Sequence, residues 1–95
     1  MASRKRRRAV FLDRDGVLNR SDVRNGKPYA PRKLSEFRLL PGAIQAVADL
    51  KSAGFTGIVV TNQPDLGHGL VSQAALDAMH KKLASKAAVD GIRVC

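Results

Sequence analysis

Short apolar runs and two helical periods alternate along this chain, and together they predict an α/β fold. The run 9–12 and the β-branched run 56–61 are short and nearly continuous, as in strands covered on both faces. Between them, residues 42–53 place apolar side chains at helical spacing, and a second amphipathic helix is predicted over 72–89. Residues 92–95 begin a third strand. Strand, helix and strand in this order form a right-handed crossover, so the pattern predicts a β-α-β-α-β arrangement with a parallel sheet.

The first apolar run ends at two carboxylates, Asp13 and Asp15, which are separated by one residue. Side chains of a strand alternate between its faces, so acids at this spacing share a side while the chain stays extended. Gly16 allows the backbone to turn directly after them. Paired acids can divide chemical work, because one attacks an electrophile or holds a metal while the other transfers protons. The same spacing occurs in ordinary surface turns, so it indicates a site only together with other motifs.

The second predicted strand ends in the polar motif Thr61-Asn62-Gln63. Ligands of an open parallel sheet bind beyond the carboxyl ends of its strands, so this motif would lie beside the paired acids if the two strands are neighbours. A hydroxyl and two amides are suitable donors for phosphoryl oxygens. Alone, such a motif is more typical of a plain turn. The motif therefore indicates a binding site only because it follows the second predicted strand.

Together the two motifs resemble the signatures of the haloacid dehalogenase-like phosphatases. Residues 11–19, Phe-Leu-Asp-Arg-Asp-Gly-Val-Leu-Asn, match the first signature, and residues 61–63 are similar to the second. The resemblance implies a Rossmann-like three-layer sandwich with a parallel sheet, of which this chain would form the β-α-β-α-β half. It also implies a Mg2+-dependent phosphoric monoester hydrolase that works through an aspartyl-phosphate. The subgroup with Arg14 and Asn19 at these positions includes heptose bisphosphate and histidinol phosphatases.

The resemblance assigns a role to each candidate site residue. Asp13 would be the nucleophile, Asp15 the general acid and base, and Thr61 the hydroxyl that binds the transferring phosphoryl group. Mg2+ would be held by the Asp13 carboxylate and the Asp15 carbonyl. The resemblance implies further contacts with substrate from Arg14, Asn19, Tyr29, Arg32, Asn62 and Gln63.

Cys95 stands where a zinc loop begins in the same subgroup of phosphatases. The resemblance therefore implies Zn2+ in the full-length protein, with this thiolate as the first ligand. One thiolate cannot build a tetrahedral zinc site by itself. A buried or terminal thiol is an equally good interpretation of this residue.

The polar stretch 20–36 follows the first motif, and its Asn25-Gly26 pair predicts a small hairpin between Val23 and Tyr29. In the resembling family this region is a flap over the active site. We therefore expect Tyr29 and Arg32 to face the substrate. For each side chain alone, an ordinary connecting loop is an equally good interpretation.

The chain contains two histidines, and neither is expected to have a role in catalysis. His68 lies in a glycine-rich stretch, where a histidine is usually exposed to solvent and has no functional role. His80 lies beside the apolar stripe of the second predicted helix. Packing at the flank of that helix is sufficient to explain it.

Basic residues dominate the charge, mostly through one run near the N-terminus. The 95 residues carry a formal net charge of +9, and residues 4–8 are all Lys or Arg. We therefore assign 1–8 to a basic tail and 9–95 to the N-terminal part of a phosphatase domain. No aromatic residues interleave with the run, so a solvated extension is favoured over a nucleic-acid contact. No apolar segment reaches about 18 residues, and the single cysteine agrees with a cytoplasmic location.

The chain lacks counterparts of the third and fourth signatures of the resembling phosphatases. Downstream of Asp65 its acids are Asp77 and Asp90, and neither belongs to a pair at the end of an apolar run. Loss of a carboxylate and a cation weakens Mg2+ binding and the stabilisation of phosphoryl charge. We therefore expect weak or absent catalysis by the 95 residues alone. Residues 10–12 would also lie on an exposed sheet edge, which predicts a tendency to aggregate.

Several functions remain compatible with the two motifs. Among small phosphorylated metabolites, D-glycero-D-manno-heptose 1,7-bisphosphate ranks ahead of histidinol phosphate. A polynucleotide 3′-phosphatase also combines Asp-x-Asp-Gly with Thr-Asn-Gln, and it would use the basic tail for phosphate contacts. An inactive truncated remnant, or a phosphate-binding module, would keep this half of the domain without turnover. The sequence leaves the oligomeric state open.

Overall fold

The computed structural model describes residues 8–95, so the predicted basic tail lies outside the described residues except for Arg8. In chain order the elements are β1 (Arg8–Asp13), β2 (Asp22–Arg24), β3 (Lys27–Tyr29), a 3-10 turn (Leu34–Glu36), α1 (Ala43–Ser52), β4 (Phe55–Thr61), α2 (Pro64–Gly67), α3 (Gln73–Lys86) and β5 (Gly91–Val94). The predicted order of strands and helices is confirmed. The second helix is shorter than predicted, because Ala87 takes extended backbone and turns its side chain into the core.

The strands β1, β4 and β5 form a parallel sheet in the order β1-β4-β5. In its register, Asp13 lies opposite Val60, and Thr61 lies opposite Val94. The carboxyl ends of β1 and β4 therefore meet at the same edge of the sheet. Within the described residues β1 pairs on one side only, so the predicted exposed edge is confirmed.

Both long helices pack against one face of this sheet. The core joins Val47 of α1 and Leu76, Met79 and Leu83 of α3 to Val59 at the centre of β4. The described residues thus form two layers of the predicted sandwich, and the α/β class with a parallel sheet is confirmed. No helix in residues 8–95 has the length and apolar character that a membrane span requires.

The opposite face of the sheet carries a different set of side chains. Phe11 of β1 lies there beside Ile58 of β4, and 68% of its surface is exposed. Val60 and Asp13 occupy the next position along the same face. The acid at the end of β1 therefore points away from the helix-packed core and remains accessible.

The hairpin predicted around Asn25-Gly26 is also confirmed. Strands β2 and β3 pair antiparallel, with Val23 opposite Pro28. Asn25 and Gly26 both have positive φ, at 52° and 75°. This combination fits the tight turn whose twist matches the strands of a two-residue hairpin.

Candidate active site

The two predicted motifs meet in a cleft at the carboxyl edge of the sheet. The cleft has a volume of about 170 Å³ and is lined by Asp13, Arg14, Asp15, Val60, Thr61 and Asn62. Pockets that enclose drug-sized ligands measure roughly 300–1,000 Å³. The cleft therefore suits a small charged group better than a whole sugar or nucleotide.

The loop 14–19 is wrapped around one backbone carbonyl. The amides of Val17, Leu18 and Asn19 all donate to the carbonyl oxygen of Arg14, at 3.3, 2.8 and 3.1 Å. Gly16 donates its amide to the carbonyl of Asn19 at 2.8 Å, and its φ of 82° lies in the left-handed region that glycine tolerates. The glycine that the sequence placed in this turn thus permits a closed loop directly after β1.

Four donor contacts hold the Asp15 carboxylate. Its Oδ1 atom accepts from Nε and Nη2 of Arg14, at 3.2 and 2.8 Å, and from Nδ2 of Asn19 at 2.9 Å. Its Oδ2 atom accepts from Nε2 of Gln63 at 2.9 Å. The carboxylate is partly exposed at the cleft and is fixed in direction by contacts from both motifs.

The side chain of Arg14 is completely buried. Besides Asp15, its guanidinium contacts Nε2 of His80 at 2.9 Å through Nη1, and it lies 5.5 Å from the centre of the Phe37 ring. Burial, and then the charge of Arg14, lower the pKa of His80 from its usual 6.5. Both effects favour the neutral form of this histidine next to the cation.

Asp13 and Thr61 differ from Asp15 in what surrounds them. The Asp13 side chain is exposed, and no side chain among residues 8–95 forms a hydrogen bond or ion pair with its carboxylate. The Thr61 hydroxyl is buried and accepts from Nε2 of Gln63 at 2.7 Å, which leaves its own proton to donate. The cleft therefore presents an unpaired carboxylate and a hydroxyl donor on adjacent strand ends.

Three residues that were expected to contact substrate have buried side chains. Arg14 and Asn19 have no exposed surface and Gln63 has 4%, and each hydrogen-bonds to Asp15. Their side chains hold the acid in this arrangement, and Arg14 also lines the cleft, so their contact with substrate stays a prediction. Asn62 is exposed and lines the cleft, as a substrate contact would require.

The predicted flap residues lie outside the cleft in this arrangement. The ring of Tyr29 is half-exposed and lies 6.0 Å from the guanidinium carbon of Arg24. Arg32 donates its Nε to Oδ2 of Asp65 at 3.0 Å, which ties the segment after the hairpin to α2. Neither side chain lines the cleft, so their contact with substrate stays a prediction.

The oxygen ligands available at the cleft are of the types that bind a magnesium ion. Carboxylate and carbonyl oxygens are the ligands that Mg2+ prefers, and the ion is usually bound through one or two carboxylates with several waters. Asp13 offers an exposed carboxylate, and the Asp15 backbone lies beside it. No group of three or more His, Cys, Asp or Glu side chains gathers in residues 8–95. Cys95 is exposed and free, and it does not form a zinc site with other described residues.

The contacts of His80 and Phe37 with the buried arginine were not predicted from the sequence. The ring of Phe37 belongs to the core, and His80 was assigned only to a helix flank. A signal was nevertheless present, because an arginine between two acids of a buried turn needs acceptors. The sequence could not identify the acceptor, which lies 66 positions away on α3.

The chain was compared with family models and with known proteins. No family model matches it. It is 33% identical over 99 residues to the D-glycero-beta-D-manno-heptose-1,7-bisphosphate 7-phosphatase of Rhodopseudomonas palustris, covering 99% of this chain and 52% of that protein. It is 39% identical over 85 residues to the corresponding alpha-anomer phosphatase of Mycobacterium tuberculosis, covering 90% of this chain and 43% of that protein.

Comparison with solved structures gives the same result. The D,D-heptose 1,7-bisphosphate phosphatase of B. bronchiseptica, solved with magnesium and phosphate, matches with a TM-score of 0.73 and 36% identity. The match covers 93% of this chain and 49% of that one. This chain therefore spans about half the length of the curated relatives and the solved structure that it matches.

Proposed function

Since this chain is a homologue of haloacid dehalogenase-like phosphatases over about half of their length, we propose that it supplies the nucleophile half of a Mg2+-dependent phosphatase site. The observation that carries this proposal is the pair of strand ends at the cleft. Asp13 follows β1 and Thr61 ends β4, and the two strands are hydrogen-bonded neighbours. An unpaired carboxylate beside a hydroxyl donor is the combination that phosphoryl transfer to an aspartate needs.

The proposed reaction has two steps, both at the phosphorus atom. An Oδ atom of Asp13 attacks phosphorus, the bond to the leaving alcohol oxygen breaks, and Asp15, which enters this step protonated, gives that oxygen its proton. Water then attacks phosphorus while Asp15 takes a proton from it, and the bond from phosphorus to Asp13 breaks to release phosphate. The Thr61 hydroxyl donates a hydrogen bond to a phosphoryl oxygen in both steps. Mg2+, when bound through the Asp13 carboxylate and the Asp15 carbonyl, supplies neutralisation of phosphoryl charge.

We propose D-glycero-D-manno-heptose 1,7-bisphosphate as the substrate of the whole protein. Relatives named for the alpha and the beta anomer both match this chain, so both anomers belong in the test. Histidinol phosphate is the comparison substrate. The small volume of the cleft supports recognition of the phosphoryl group here, with the rest of the substrate contacted by other surfaces.

The experiment uses the protein as its own cell makes it, isolated with an antibody against residues 72–95. Phosphate release is measured from each anomer and from histidinol phosphate, with Mg2+ and with a chelator. Asp13→Asn in the native gene should lower turnover by about 10³-fold or more, because an amide is a poor nucleophile. Asp22→Asn, in the exposed hairpin, is the matched control and should keep turnover. Full activity in Asp13→Asn would contradict the proposal.

A phosphate-binding module without turnover is the second candidate for the 95 residues by themselves. It is supported by the donor set, since residues 8–95 do not gather three metal-ligating side chains and place no exposed cation in the cleft. Calorimetry on the isolated chain would then detect binding of phosphate with Mg2+ but no hydrolysis. Salt dependence distinguishes a polynucleotide 3′-phosphatase from the other candidates. Binding of a polynucleotide through basic residues 4–8 would weaken steeply as ionic strength rises.

Two further points about the whole protein remain predictions. A zinc loop opened by Cys95 would need ligands beyond those of the described residues, and metal analysis of the endogenous protein tests it. A cytoplasmic location is supported by the single cysteine, which is exposed and forms no disulfide. Cell fractionation with the same antibody tests that location.

A further inference from the structure

His80 takes part in a chain of hydrogen bonds that ends at the cleft. Its Nε2 atom lies 2.9 Å from Nη1 of Arg14. A guanidinium group donates hydrogen bonds and accepts none. The contact is therefore favourable only if Nε2 carries no proton and accepts, which places the ring proton on Nδ1. Arg14 in turn donates Nε and Nη2 to Oδ1 of Asp15.

The contacts around the guanidinium group of Arg14 fix its orientation. Its side chain has no exposed surface, so water does not replace a lost partner. The ring of Phe37 lies against it, Asp15 accepts from one edge and His80 accepts from another. Without the acceptor on His80, a donor of a buried cation would be left unsatisfied, which is costly. The guanidinium would then turn, and its two bonds to Asp15 would change.

We propose that His80 is a positioning residue for Asp15, acting through Arg14. His80 does not line the cleft, so it is not a catalytic residue. It fixes the plane of the guanidinium, and that plane fixes the direction of the Asp15 carboxylate. The consequence for turnover rests on the proposed function, because the direction of Asp15 matters to catalysis only if the cleft transfers phosphoryl groups.

The ring of His80 gives the first test, since the chain has a second histidine as an internal control. Long-range 1H–15N spectra of the labelled 95-residue chain at neutral pH report which ring nitrogen carries the proton. We expect His80 to be protonated on Nδ1. The exposed His68 should show the mixture of tautomers of a free ring. A proton on Nε2 of His80, or identical patterns for both rings, would overturn the proposal.

Three variants test whether the effect reaches Asp15. His80→Gln keeps an acceptor where Nε2 lies, His80→Leu removes it, and His68→Leu is the matched control. The Nε–H resonance of Arg14 and the carboxyl carbon resonance of Asp15 should shift in His80→Leu and persist in the other two. Unchanged resonances in His80→Leu would refute the positioning role. If His80→Leu does not fold, loss of these resonances in a folded His80→Gln would refute it equally.

Turnover separates this proposal from the proposed function. In the endogenous protein, kcat should fall about tenfold in His80→Leu with little change in KM, as for residues that orient a ligating or catalytic group. His80→Gln should recover most of that loss. An active protein whose kcat is unchanged in His80→Leu would overturn the positioning role. If the unmodified protein releases no phosphate, the proposed function fails. The two sets of spectra would still show whether His80 positions Asp15 through Arg14.

Discussion

The loop 14–19 and the hairpin 22–29 are neighbouring polar turns that the fold holds in different ways. The loop is fixed by contacts from distant parts of the chain, because Gln63 hydrogen-bonds to Asp15 from 48 positions away and His80 contacts Arg14 from 66 positions away. The hairpin's ion pairs are closer in sequence and partly exposed, since Arg24 lies 2.8 Å from Asp22 and 3.9 Å from Glu36. The position of the acids is therefore a property of the whole fold. We therefore expect changes of sequence in the hairpin to leave the acids in place.

The loop and the hairpin should differ most in how much stability each loses when its arginine is removed. Arg14→Met leaves the Asp15 carboxylate without its cation and should lower the free energy of unfolding by about 2 kcal/mol, less than for a fully buried pair because Asp15 is partly exposed. Arg24→Met, the matched control, removes a pair in which both side chains are partly exposed and which should therefore contribute less. Urea unfolding of both variants measures the contrast. Equal losses of stability would contradict the distinction between the two turns.

Alanine at the glycine of each turn should separate stability from function. Gly16 and Gly26 have φ values of 82° and 75°, so each substitution should cost about 1 kcal/mol of stability through backbone strain. Gly16→Ala should also lower phosphate release, because it displaces the loop that carries Asp15. Gly26→Ala should leave turnover unchanged. Assays of stability and turnover on the same preparations test this, and a loss of turnover in Gly26→Ala would assign the hairpin a larger role.

Arg32 offers a smaller effect that distinguishes two interpretations of the segment after the hairpin. Its ion pair with Asp65 is partly exposed, so Arg32→Ala and Asp65→Ala should each cost about 0.5 kcal/mol. If Arg32 contacts substrate as the family resemblance implies, Arg32→Ala should also raise KM. Asp65→Ala should not raise it. Equal KM values in both variants would limit Arg32 to its structural ion pair.

The titration of His80 should give the smallest effect, a change in stability with pH. Burial and the charge of Arg14 lower the pKa of His80, while Asp15 and Asp77 act in the opposite direction. As pH falls through 6.5, the unfolded chain binds a proton that the folded chain does not yet bind. Stability is therefore complete above that pH and falls as the pH drops towards the folded pKa.

The two histidines provide the control for this pH dependence. His80→Gln should flatten the decrease in stability between neutral and mildly acidic pH, because glutamine does not titrate there. His68→Gln should retain the decrease, since this exposed ring has no contact with the buried arginine. Urea unfolding over a pH series measures both. A decrease that survives in His80→Gln would show that another group is responsible.

The fold was predictable because its elements depend on local patterns. The run that ends at Asp13 is apolar and the run that ends at Thr61 is largely β-branched, and the crossover rule places their carboxyl ends at one edge. The glycine after the acids and the Asn25-Gly26 turn are equally local signals. The meeting of the two motifs was predictable for the same reason.

The supporting contacts of the site were not predictable from local patterns. Arg14 occupies a polar turn and looks available to a ligand, but the fold closes over it with Phe37 and His80. Arg32 pairs with Asp65, which lies 33 positions away. Sequence patterns do not specify such distant pairs, because each partner alone fits an exposed position equally well.

Formation of an aspartyl-phosphate is the most direct test of the central claim that Asp13 is the nucleophile. The endogenous protein is quenched during turnover and treated with borohydride, which reduces the acyl phosphate of an aspartate to homoserine. The account predicts homoserine at position 13, found by mass spectrometry of the peptide, and none in Asp13→Asn. Continued release of phosphate with position 13 unmodified would contradict it.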